Sequence, residues 1–145
     1  MQTFLPYADF RKSAKTLDNQ RLNKQIVECY QVLRACRGET KGWVNHPITK
    51  AWKDHETSLA KFGLVCCEEY KIKTGKEHAC KEKIEVYFVG EEKLPVWFGD
   101  IRIHSQYRAN LLYKNIEWYN RFDWEEKANG SRYYPLENGK IDIRR

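Results

Sequence analysis

Residues 17–38, LDNQRLNKQIVECYQVLRACRG, decide the fold. Leu22, Ile26, Cys29 and Leu33 recur at three- and four-residue intervals, the spacing of one face of an α-helix. Asp18 or Asn19 is placed to cap its start and Gly38 to end it. A polar stripe runs beside this apolar seam. At roughly 100° per residue, Arg21, Gln25 and Glu28 fall within about 60° of one another, half in the core and half at its edge. Glu28 is the only carboxylate between Asp18 and Glu39, in a stretch that also holds Arg21, Lys24, Arg34 and Arg37. An isolated, half-sheltered acid among cations points to chemistry on something anionic. The plainer reading is a surface ion pair between Lys24 and Glu28, worth about a few tenths of a kcal/mol.

Working outward, Pro6 forbids an early helix and residues 2–8 read as extended. Asp9 is placed to cap a short helix over Phe10–Leu17. Pro47 suits the first turn of a helix through Lys53. A second long helix spans about His55–Thr74, with Leu59, Phe62, Cys66 and Tyr70 on one face and Gly75 as its stop. Residues 77–89 read as a helix or a strand-rich end, with helix favoured. Leu94-Pro95 and Gly99-Asp100 mark a loop, and a last helix covers Ile101–Lys114. Asn129-Gly130 and Asn138-Gly139 are turn signals, so the tail is a long loop or a small hairpin. The expectation is a mainly α, compact single-domain helical bundle over residues 1–145.

The chain has 145 residues, enough for one hydrophobic core, and a net charge of +6. Residues 1–50 hold nine Lys/Arg against four Asp/Glu, residues 51–100 eight against ten, and residues 101–145 nine against six. Both ends are basic and the middle is mildly acidic. A basic face built from both ends around Glu28 would attract a polyanion; ordinary solvated charge is the alternative. No apolar run is long enough to span a membrane, and the first residues do not read as a secretory signal. Cys29, Cys36, Cys66, Cys67 and Cys80 lack framework spacing, so reduced thiols and a cytoplasmic setting are expected.

Three further groups bear on chemistry. Asn45-His46-Pro47, after Trp43, sits on a loop bracketed by Gly42 and Pro47. His46 can move protons near neutral pH and Asn45 can read a base edge or hold a phosphate. A helix cap with a packed imidazole is the alternative. His104, Arg108 and Lys114 could follow a phosphate backbone along the last helix, or form a solvated cationic face. Trp118, Tyr119, Phe122 and Trp124, with Arg121 among them, could stack bases or simply pack. The histidines show no metal-ligand spacing, and no metal or cofactor is expected.

Leu17-Asp18-Asn19-Gln20-Arg21-Leu22, Glu28, the helix to Gly75, and Phe98-Gly99-Asp100 leading to His104 and Trp118-Tyr119 resemble, in order and spacing, the pyrimidine-dimer DNA glycosylases of the phage endonuclease V type. The resemblance runs over about residues 3–120. Thr-Phe-Leu-Pro-Tyr and Trp-x-Asn-His-Pro look like features of a cellular branch of that family. It implies a helical, cofactor-free monomer that binds and kinks duplex DNA, flips a nucleotide out of the stack and acts on a damaged or modified base. An N-terminal α-amine then attacks C1′, and a glutamate on the first long helix assists ring opening and β-elimination. That glutamate falls on Glu28. The family's upstream histidine falls on Arg21, the arginine just before the glutamate on Val27, and a phosphate-contacting arginine on Gln31; these departures bear on dimer specificity. The amine is that of Met1, or of Gln2 if Met1 is removed; Lys24, near Glu28, is the rival nucleophile. Arg21, Gln25, Asn45, His46, His104, Arg108 and Lys114 are the expected DNA-contacting residues. The competing functions are a non-catalytic nucleic-acid-binding module, an enzyme of free nucleotides or nucleosides, and a partner-binding helical protein.

Overall fold

The computed structural model describes residues 1–145, of which 52% are helical. The seam along residues 17–38 becomes the central helix of a seven-helix arrangement with a C-terminal hairpin. In chain order the helices are α1 (Phe10–Thr16), α2 (Asn19–Cys36), α3 (Pro47–Trp52), α4 (Glu56–Thr74), α5 (Lys81–Glu85), α6 (Ile101–Lys114) and α7 (Ile116–Tyr119). A 3₁₀ turn, Asn120–Phe122, follows, then β1 (Arg132–Pro135) and β2 (Ile141–Arg144), which pair antiparallel with Tyr133 opposite Ile143.

Helices α2 and α4 form the main packing pair, with α1 and α5 against α4 and α3 against α2. Leu22, Ile26, Cys29 and Leu33 are fully buried, as are Leu59, Phe62 and Cys66 of α4. Gly63 allows the close approach: a Cβ there would lie 3.2 Å from Ile84 Cδ1 and 3.4 Å from Cys29 Cβ. Asp9 caps α1 by accepting from the Lys12 N–H, and Gly75 ends α4 in the left-handed conformation at φ 74°. Asp18 stands at the start of α2 but caps nothing; its carboxylate accepts from the Tyr119 hydroxyl at 2.5 Å.

The first residues are the unusual part. Gln2, Thr3, Phe4 and Leu5 are buried in the core with no helix or strand of their own. Buried backbone polar groups need partners, and side chains supply them. Gln25 Oε1 accepts from the Phe4 N–H at 2.6 Å, and Gln25 Nε2 donates to the Gln2 carbonyl at 3.1 Å. His104 Nδ1 lies 2.7 Å from the Leu5 carbonyl, and Arg108 donates to the Pro6 carbonyl at 2.7 Å. Trp52 Nε1 donates to the Thr3 hydroxyl at 3.0 Å. The chain start is thus clamped from α2, α3 and α6.

Two segments differ from the sequence reading. Within residues 77–89 only Lys81–Glu85 is helical, and no strand forms. The Tyr87 hydroxyl beyond it donates to Glu39 at 3.0 Å. The second difference is that Lys114 does not close the helical region: Asn115, extended at φ −157°, breaks the axis and caps α7 by accepting from the Trp118 N–H. The aromatic run packs internally, with Tyr119 and Trp124 stacked at 5.8 Å and Arg121 lying 3.7 Å above the Trp118 ring. No helix is long and apolar enough to cross a membrane.

Candidate active site

Glu28 lies midway along α2, half-buried, where the clamped chain start emerges. The Gln2 N–H donates to Glu28 Oε2 at 3.2 Å. One residue further out is the Met1 amine. Burial lowers its pKa from the ordinary 8.0; Glu28 opposes the shift, while Arg132, Lys114 and Arg21 add to it. The amine is therefore easier to deprotonate than a free one. The Tyr134 hydroxyl of β1 donates to the Met1 carbonyl at 2.9 Å.

The surrounding charge is positive. Arg21 lies over the Phe4 ring at 5.1 Å, and Lys114 over the same ring at 5.9 Å. Burial, then Arg21, lowers the Lys114 pKa, with Glu28 opposing. A small hollow lined by Asp18, Gln20, Arg21, Lys114, Asn115 and Tyr119 opens between these two cations. Arg132 and Arg144 come from the hairpin, Arg144 5.8 Å from the Tyr134 ring centre. One carboxylate beside an amine, ringed by cations from both chain ends, is suited to a phosphate-bearing sugar.

His46 completes the far wall. Its Nδ1 accepts from the Ile48 N–H at 3.1 Å, capping α3. Burial, the charge of the chain-start amine, Arg144 and Arg132 push its pKa down to about 4. It is neutral near pH 7. With Nδ1 occupied as an acceptor, Nε2 carries the proton and can donate to a sugar or phosphate oxygen.

The remaining sequence-predicted residues divide. Asn45 is exposed and lines a second cleft of about 430 Å³ between the end of α2 and α3. Lys24 is exposed, and its anticipated ion pair with Glu28 is not made. The Gln25 side chain is fully buried and clamps the chain start. His104 is a second internal residue. It is buried, with Nε2 accepting from the Gly99 N–H at 2.9 Å and Nδ1 directed at Leu5. Arg108 is likewise internal, paired with Glu126 at 2.7 Å and with the Pro6 carbonyl. Sequence reasoning missed Arg132, Tyr134 and Arg144. The signal was present in the aromatic Tyr133-Tyr134-Pro135 run, the Asn138-Gly139 turn and the basic end, but nothing local tied that hairpin to Glu28.

A family model, described as Pyrimidine dimer DNA glycosylase, matches residues 1–83. The match takes in Glu28, the clamped chain start and His46, while Lys114 and the hairpin lie beyond it. No curated protein and no solved structure matched the chain.

Proposed function

The chain belongs to the pyrimidine dimer DNA glycosylase family, and on that premise we propose that it removes a damaged base from duplex DNA through an imine to its chain-start amine, with Glu28 as acid and base. A DNA glycosylase function in repair, with DNA as substrate, comes with the family; the lyase step and the residue roles are our reading. The observation that carries them is the contact of Glu28 with the first peptide of the chain, beside an amine of lowered pKa.

The chemistry follows from that pairing. The unprotonated amine nitrogen attacks C1′, and the bond from C1′ to the base breaks, the base leaving with the electron pair and taking up a proton. Opening of the sugar ring gives a C1′–N double bond, with Glu28 delivering the proton to the ring oxygen. The imine is an electron sink, so C2′ loses a proton and the 3′-phosphate departs, cutting the strand. Water then hydrolyses the imine and frees the amine. Arg21, Lys114, Arg132 and Arg144 hold the flanking phosphates. Base flipping costs a few kcal/mol, least at a damaged base, and these contacts offset it.

Two nitrogens qualify by position. One is the amine of Met1. The other is that of Gln2 after removal of Met1, since the Gln2 nitrogen already lies 3.2 Å from Glu28. Lys24 is the weaker candidate, because it is exposed and makes no contact with Glu28. The test is incubation with a panel of duplexes carrying pyrimidine dimers, other damaged bases or abasic sites. Base release and strand scission on at least one lesion are expected; DNA binding with neither on any substrate would leave only a binding module.

A further inference from the structure

Trp43 has a conformation that folding alone does not require. Its φ is 68°, in the left-handed region that bulky residues avoid. Its side chain remains 48% exposed, so burial does not repay the strain. The strain is held by the tight turn in which the His46 N–H donates to the Trp43 carbonyl at 3.0 Å.

The indole is nonetheless fixed in place. It meets the His46 ring edge-on, with centroids 5.2 Å apart. His46 meets Tyr134 edge-on at 5.3 Å, and the Tyr134 hydroxyl grips the Met1 carbonyl. Two ring contacts and one hydrogen bond therefore link an open aromatic surface to the first residue of the chain. Val44 and Asn45, next along, line the separate 430 Å³ cleft.

We propose that Trp43 is the stacking platform for the base of the nucleotide brought to the amine. This role rests on the glycosylase reading above. A base leaving the duplex loses its stacked neighbours, and an aromatic face held at the mouth of the site replaces them. Stacking of this kind tolerates many bases and needs no hydrogen-bond donor on the indole.

The test compares Trp43→Ala, Trp43→Leu and Trp43→Phe in the full chain, under single-turnover conditions. Each meets two substrates: a lesion duplex that the wild type processes, and the same duplex with a preformed abasic site. Base excision by Trp43→Ala and Trp43→Leu is expected to fall about tenfold or more, and Trp43→Phe to stay within a few-fold of wild type. Cleavage at the abasic site, which has no base to stack, stays within about twofold for all three. Undiminished excision by Trp43→Ala and Trp43→Leu would overturn the role, as would an equal loss on both substrates, which would mark Trp43 as a purely architectural residue. A wild type inert on every lesion would instead overturn the glycosylase reading itself, and this role with it.

Discussion

The Gln2 N–H donates to Glu28 Oε2 across 26 residues of sequence and 3.2 Å of space. This contact sets the position of the chain start relative to the only acid in its neighbourhood of α2. Glu28 sits beside the first peptide because Gln25, one helical turn earlier, clamps the second and fourth residues. The apolar seam of α2 builds the core, and its polar edge anchors the chain start.

Replacing Glu28 with Gln keeps the shape and removes the proposed proton shuttle. Turnover is expected to fall about 10²–10⁴-fold, with DNA binding retained. Since burial lowers the amine pKa from 8.0, the rising limb of the wild-type pH–rate profile should lie below pH 8. Glu28 raises that pKa, so in Glu28→Gln the limb of any residual activity moves further toward acid. Initial rates across the pH range check both signs.

Gln25→Leu tests the clamp. It leaves the Phe4 N–H and the Gln2 carbonyl without their side-chain partner, and a buried polar group so stranded costs about 1–3 kcal/mol. A lower denaturation midpoint is expected, together with an activity loss larger than that of DNA affinity.

His104 and Arg108 are load points of the fold. Burial lowers the His104 pKa from 6.5. Its stabilising contribution is therefore present above the unfolded value, about 6.5, and is lost as pH falls below it, where protonation also removes the acceptor for the Gly99 N–H. His104→Ala should destabilise by about 1–3 kcal/mol and flatten that acid slope. Arg108→Ala should destabilise similarly by stranding Glu126 and the Pro6 carbonyl. Neither should alter the salt dependence of DNA binding, as read by equilibrium titration.

Much of the fold was legible because it is written locally. Helix α6 occupies the predicted Ile101–Lys114, and Asp9, Pro47 and Gly75 act as anticipated. Those signals depend on residues within one turn of each other. The roles of Gln25, His104 and Arg108 were not legible, because each answers a backbone group more than twenty residues away. A cationic side chain on a helix looks the same in sequence whether it faces DNA or a buried carbonyl. The hairpin's share of the site was hidden for the same reason: Tyr134 and Met1 meet only once the chain is folded.

Lys114 and Arg132 should contact phosphate, since both bear on the amine and remain outside internal ion pairs. Lys114→Ala and Arg132→Ala are each expected to weaken DNA binding across sequences and to reduce the salt slope by about one. Affinities at several salt concentrations give that slope directly.

The identity of the attacking nitrogen is the most direct test. Reduction with borohydride during reaction with abasic-site DNA, followed by digestion and mass analysis, locates the covalent bond. The account predicts one adduct on the chain-start peptide, at Met1 or at a newly exposed Gln2. An adduct on Lys24, or none at all, would contradict it.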